Sequence, residues 1–214
     1  MTSDDKIRRD VADELEWESG IDHRQIGIAV KDGVVTLFGE SRSLPEKWMA
    51  ERAAERMAGV RAVVNQMTVN IPCQCTDTDI GAAAANALTW NALVPQDRIA
   101  VAVENGVVTL SGEVDHHHER RAAEREVGVV RGVKGVVDLT TIKPRATHKD
   151  VTCDIEQALR RAALLDTQKI AVSVSNGAVT LRGSVRSWAA RREAEKAAFK
   201  APGVTSVNNL LVVT

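Results

Sequence analysis

The octet GVVTLFGE at residues 33–40 returns as GVVTLSGE at 106–113 and as GAVTLRGS at 177–184. Gly33, Gly106 and Gly177 are separated by 73 and 71 residues, and a Gly-Val pair follows each 26 residues later, at Gly59-Val60, Gly132-Val133 and Gly203-Val204. Upstream, IGIAVKDG, IAVAVENG and IAVSVSNG align without a gap. Ile26, Ile99 and Ile170 each stand 19 residues after Ile7, Ile80 and Val151. Constant internal spacing of this kind marks a tandem repeat. Variation gathers at the junctions NIPCQCTDTD and IKPRATHKD, each with a Pro that suits an extended linker. The units are therefore 1–72, 73–145 and 146–214.

Each unit reads as α-β-β-α-β. Apolar residues at i, i+4 and i+8 predict an opening helix with one buried face: Ile7, Val11 and Leu15, then Ile80, Ala84 and Leu88, then Val151, Ile155 and Leu159. Asp4, Asp77 and either Thr147 or Asp150 suit its N-cap or first turn. Two alternating strands follow, joined by Asp32-Gly33, Asn105-Gly106 or Asn176-Gly177. Asx-Gly tolerates positive φ at both central positions, so a two-residue type I′ turn is expected. Gly39, Gly112 and Gly183 are read as ending the second strand, where the chain bends into a helix. That helix turns an alanine-rich stripe inward (Ala50 and Ala54, Ala123 and Val127, Ala194 and Ala198), so it lies close to the sheet. Gly59, Gly132 and Gly203 follow it, and a last strand closes the unit. The fold class is α+β: three units, each a three-stranded mixed sheet with two helices on one face. The opposite face carries small or polar residues such as Ala29, Thr36, Ala102, Thr109, Ser173 and Thr180. A unit this small has a thin core, so contacts between repeats are expected to add stability.

The pattern GVVTLSGEV, then GV, then V-x-[ND]-x-[LM]-x-V (VVNQMTV at 63–69, VVDLTTI at 136–142, VNNLLVV at 207–213) resembles the BON domain, named for bacterial OsmY and nodulation proteins. Thr140 departs from the large aliphatic of that motif. The resemblance spans three tandem copies. It implies a protein linked to osmotic stress that binds phospholipid or membrane surfaces, with an association with potassium in some cytoplasmic members.

Catalysis finds little support. The octet glycines sit on a hairpin with no Lys-Ser/Thr after them, so they form no P-loop. Cys73, Cys75 and Cys153 are odd in number and belong to no nucleophile motif, which predicts reduced thiols. His116, His117 and His118 are adjacent, so they cannot converge on one ion as an i, i+4 pair does; a solvated run is expected rather than a Zn²⁺ or Ni²⁺ site. No metal or cofactor is therefore expected. The start of the chain is charged almost throughout, and no run of about 20 apolar residues occurs. A cytoplasmic protein without a transmembrane segment, peripheral at most to the inner membrane, is expected. The net charge of −1 argues against a nucleic-acid partner.

That net charge hides an asymmetry. Residues 1–72 hold 10 Lys or Arg against 13 Asp or Glu, residues 73–145 hold 8 against 10, and residues 146–214 hold 10 against 6, a net +4. The third repeat's cations gather around its second helix: Arg182, Arg186, Arg191, Arg192, Lys196 and Lys200, with Trp188 among them. Arg beside Trp suits a bilayer interface, and anionic lipid attracts about 1 kcal/mol per basic residue. The same residues also suit a solvated helix face, with Arg191 pairing Glu195 and Trp188 stapling the helix to its own sheet. Trp17 and Trp90 hold equivalent positions and read as packing residues rather than a ligand box. The leading expectation is a non-enzymatic protein that engages an anionic phospholipid surface through Arg182, Arg186, Trp188, Arg191, Arg192 and Lys196. A potassium-responsive module and a protein-interaction scaffold are the alternatives.

Overall fold

The computed structural model describes residues 3–71, 75–95, 97–143, 153, 155–158, 170–201 and 203–213. Repeat 1 runs through α1 (Ser3–Trp17), a 3₁₀ turn (His23–Gln25), β1 (Ile26–Lys31), β2 (Val34–Ser41), α2 (Leu44–Arg56), β3 (Ala62–Asn65) and β4 (Thr68–Val69). Repeat 2 comprises α3 (Asp77–Trp90), β5 (Ile99–Glu104), β6 (Val107–Val114), α4 (His117–Gly128) and β7 (Gly135–Ile142). Repeat 3 shows β8 (Ile170–Ser175), β9 (Ala178–Val185), α5 (Trp188–Phe199) and β10 (Ser206–Val213). In each sheet the second strand is central, antiparallel to the first and parallel to the last. The predicted α+β class holds, with one refinement. Repeat 1 splits its last strand in two, although Gln66 N–H to Leu37 O carries the ladder into the break and Asn70 N–H to Ser41 O continues it beyond β4.

The i, i+4, i+8 stripes are buried as expected: Ile7, Val11 and Leu15 in α1, Ile80, Ala84 and Leu88 in α3, and Ile155 in repeat 3. Val151, Leu159, Thr147 and Asp150 lie outside the described residues. Asp4 and Asp77 do more than begin a helix. Each carboxylate accepts the two backbone N–H groups of the hairpin turn, Asp4 from Asp32 and Gly33 at 2.9 and 3.0 Å and Asp77 from Asn105 and Gly106 at 2.8 and 2.9 Å. The N-cap of α3 is Thr76, which forms a capping box with Asp79. Asp32, Asn105 and Asn176 have φ of 51°, 53° and 48°, and the glycines after them are also positive, the geometry of the expected type I′ turn.

Gly39, Gly112 and Gly183 do not end their strands, as the sequence had suggested. β2, β6 and β9 continue two residues beyond them, and the glycines pair with Ile26, Ile99 and Ile170. Their φ values of 115°, 135° and 131° are unavailable to other residues, and a Cβ at Gly112 would lie 2.0 Å from the carbonyl oxygen of Arg98. At Gly39 and Gly112 the central strand thus passes close against the start of its neighbour, where a side chain would collide.

The Asx of the closing motif explains itself in the structure. Asn65, Asp138 and Asn209 each accept the N–H two residues onward, at 3.2, 2.9 and 3.3 Å. Asn65 and Asn209 also donate to the carbonyls of Lys47 and Arg191 on the second helix. Asp138 has no N–H to give, and instead accepts from Arg120 at 2.6 Å. Thr140, the residue that departs from the motif, donates its hydroxyl to the same Asp138 at 2.6 Å and is buried. Helix and last strand are latched in all three copies, by two chemistries.

The three repeats close on one another. Leu44, His117 and Trp188 are equivalent positions at the start of the second helix, and each reaches out of its own unit. Leu44 is buried in the core of repeat 2, His117 stacks on Phe199 of repeat 3, and Trp188 packs against the core of repeat 1. One turn on, the equivalent Trp48, Arg121 and Arg192 line a common cavity of about 480 Å³. Trp48 fits because residue 128 is glycine; a Cβ there would lie 2.2 Å from the indole. Contact therefore runs from repeat 1 to 2, 2 to 3, and 3 back to 1. The outer sheet faces are less polar than expected: Leu139, Val137, Leu210 and Val212 are exposed on the last strands. Replacing Asp77 with Ala removes two charge-assisted hydrogen bonds to the hairpin, and a loss of about 1–3 kcal/mol is expected in chemical denaturation. Asp77→Asn, which keeps an acceptor, is expected to recover part of it.

Candidate functional site

The cationic cluster of repeat 3 is dispersed by the fold. Arg182 and Arg186 are exposed and have no ion pair among the described residues. Lys196 is exposed and pairs with Glu193 at 3.5 Å. The other three sequence candidates are committed to packing. Arg191 donates Nη2–H to Asn209 O at 2.7 Å and lies 4.6 Å above the Trp188 ring. Glu195, its expected partner, is instead hydrogen-bonded by Asn209. Trp188 is half-buried against repeat 1 rather than stapling its own sheet, and its indole nitrogen is buried without a hydrogen-bond partner. Arg192 crosses to repeat 1 and pairs with Glu55.

Glu55 is one of four buried polar or charged side chains among the described residues. Burial pushes its carboxyl up from the ordinary value, and Arg192 pulls the other way. The joint between repeats 3 and 1 therefore rests on a desolvated pair whose cation still touches water.

His117 departs from the expected solvated run. It lies parallel to Phe199, with ring centroids 3.6 Å apart, and its Nδ1 is buried without a hydrogen-bond partner. His116 and His118 stack on each other at 5.2 Å. Burial lowers the His117 pKa to about 4, with Arg121 and Arg120 reinforcing the shift and Asp138 opposing it. At neutral pH the ring is uncharged, as a face-to-face contact with Phe199 favours. Among the described residues no group of three or more His, Cys, Asp or Glu is placed to hold a metal.

Two further expectations are corrected. Trp17 and Trp90, read as packing residues, are 88% and 89% exposed at the ends of α1 and α3, because the buried stripe ends at Leu15 and Leu88. Cys75 is disulfide-bonded rather than a reduced thiol, while Cys153 is free and exposed. The sequence reading also missed Leu44, Trp48, Glu55 and Phe199 as inter-repeat residues. The available signal was dissimilarity: these are positions where otherwise matching repeats carry Leu, His and Trp, or Glu, Gly and Phe.

The whole arrangement is that of a tandem-domain protein of one family. The family model described as BON domain matches residues 3–71, 76–144 and 148–214, and the chain belongs to that family as three copies. Among its relatives, Osmotically-inducible protein Y of Escherichia coli (strain K12) is 30% identical over 144 residues, covering 62% of this chain and 70% of that protein. Among solved structures, CdsD, a structural protein of the type III secretion system of Chlamydia trachomatis, aligns over 98% of this chain and 92% of its own, at 14% identity and a TM-score of 0.27. The PrgH periplasmic domain aligns over 94% and 98%, at 9% identity and a TM-score of 0.25. Likenesses that weak carry no argument.

Removing Arg192 strands a buried carboxylate. Arg192→Ala is expected to cost about 1–3 kcal/mol at pH 7, less than a fully buried pair because the arginine is partly solvated. Glu55 has a raised folded pKa, so it favours the folded state below that value and loses the benefit as pH rises from its unfolded value through it. Glu55→Gln should therefore unfold no more easily than the parent at pH 7 in denaturant titrations, with any advantage shrinking toward pH 4. His117 has the opposite sign. Its depressed pKa contributes stability above about 6.5 that is lost as pH falls toward about 4. Thermal unfolding of His117→Phe should show a shallower decline over that window.

Proposed function

We propose that this is a non-enzymatic protein of the osmotic stress response that docks on anionic phospholipid surfaces through its third repeat. The stress assignment is carried over from the osmotically inducible relative, and family membership supports a binding module rather than a catalyst. The observation that supports the lipid reading is the outer face of the third sheet. Arg182 pairs in register with Leu210, which is 47% exposed, and Val212 beside it is 60% exposed. An exposed guanidinium with no ion pair among the described residues, next to exposed aliphatic side chains, suits a headgroup layer, where the stem packs and the cation meets phosphate.

In this reading the contact belongs to Arg182 and Arg186, whereas Lys196 lies on α5 and lines the joint with repeat 2. Trp188, Arg191 and Arg192 shape the surface from behind, because their side chains are engaged within the fold. Such binding is superficial: among the described residues no helix is long and apolar enough to cross a membrane. With about 1 kcal/mol from each cation near the surface, attachment is weak and salt-sensitive.

Sedimentation with phosphatidylglycerol-containing vesicles is expected to pull the protein down at low salt and release it at high salt, while neutral vesicles leave it in solution. Arg182→Glu combined with Arg186→Glu should weaken the interaction at least tenfold. Unchanged binding by that variant, or no binding to anionic vesicles, would overturn the proposal.

A further inference from the structure

The three joints of the ring are filled unequally. Between repeats 1 and 2, Leu44 and Trp48 occupy the space beside Gly128. Between repeats 3 and 1, Trp188 occupies it and Arg192 meets Glu55. Between repeats 2 and 3 the equivalent positions hold His117 and Arg121, opposite Phe199. Among the described residues no large aliphatic or indole takes the equivalent place there. A cavity of about 660 Å³ remains, lined by residues of both repeats. Its size falls among sites that enclose a small organic molecule, roughly 300–1,000 Å³.

The lining is chemically divided. Leu93, Ile142, Phe199 and Val204 supply apolar surface, and Leu93 is 52% exposed at the wall. Among the described residues the charged part is Arg121, Arg125, Lys143, Lys196 and Lys200 against one carboxylate, Asp115. Asp115 is already held by Arg98 at 2.7 Å. Arg121, Arg125 and Lys196 share their charge with Glu124, Glu126 and Glu193. Lys143 and Lys200 have no ion pair among the described residues and come from different repeats, Lys143 directly after β7 and Lys200 at the end of α5.

We propose that this cavity binds a single-tailed amphipathic anion, its apolar tail against Leu93, Ile142, Phe199 and Val204 and its phosphate or carboxylate head between Lys143 and Lys200. Beside these two exposed ammonium groups a neutral amphiphile gains no charge pairing, and a bare anion leaves the apolar wall in contact with water. Occupancy also bridges repeats 2 and 3 at the joint that the chain fills least. The site is separate from the outer face of the third sheet, so it stands or falls independently of vesicle binding.

The test uses the full chain and three probes: octyl phosphate below its micellar concentration, 1-octanol and inorganic phosphate, each followed by calorimetry and by backbone amide shifts. Octyl phosphate is expected to bind saturably, one per chain, at least tenfold tighter than either other probe, with shifts centred on Leu93, Lys143 and Phe199. Lys143→Glu with Lys200→Glu should weaken it at least tenfold and leave the thermal midpoint unchanged. Leu93→Asp, at an exposed position, should weaken it from the apolar side. The vesicle variant with Arg182→Glu and Arg186→Glu should retain it. Equal binding of inorganic phosphate, shifts that map elsewhere, or charge-reversed protein that binds like the parent would each overturn the proposal.

Discussion

At the start of every second helix a side chain leaves its own repeat and lands on the next: Leu44 on repeat 2, His117 on repeat 3, Trp188 on repeat 1. A unit of about 70 residues encloses little apolar surface, and this one is built from Val, Leu, Ile and Ala with 3% aromatic residues. Each core is therefore short of volume, and the neighbour supplies some. Because three such donations form a cycle, no repeat keeps a free helix start. The alanine stripe of the second helix matters for the same reason. Ala50, Ala54, Ala123, Ala194 and Ala198 are all fully buried, which lets the helix sit against its sheet while its N-terminal end projects toward the neighbour.

Within each unit, polar latches compensate for the thin core. In repeats 1 and 2 an aspartate of the first helix holds both N–H groups of the hairpin turn, and in all three repeats an Asx of the last strand is tied to the second helix. These bonds tie elements distant in sequence and satisfy backbone groups of the turn and of the second helix. Repeat 2 shows that the latch is a role rather than a residue. Asp138, Arg120 and Thr140 form the same link with reversed polarity.

The ring also redistributes chemistry that looked uniform along the chain. The basic third repeat contributes one arginine to a strand latch, one to a buried pair with Glu55, and leaves others in solvent. A histidine run that reads as solvent-exposed places one ring against Phe199 in its neutral form. Charge counted by segment is therefore a poor guide to charge available for binding, since desolvation and pairing are set by neighbours from other repeats.

The repeat spacing, the Asx-Gly turns, the amphipathic first helices and the BON motifs are local patterns, and local patterns fix secondary structure and the folding of one unit. They placed Ile7, Val11, Leu15, Ile80, Ala84 and Leu88 in the core and gave positive φ to Asp32, Asn105 and Asn176. They misplaced the strand end at Gly39, Gly112 and Gly183, because a positive φ inside a strand, close against the start of the hairpin partner, reads in sequence as a break. They also suggested burial for Trp17 and Trp90, whose exposure depends on where the buried stripe stops. The candidate cations were legible by composition, but their fates were not. Which of Arg182, Arg186, Arg191 and Arg192 stays free, and where a cavity opens between repeats 2 and 3, depend on side chains about 70 or 140 residues apart meeting across a joint. Spacing along one chain carries no information about that meeting; only packing three small cores against each other decides it.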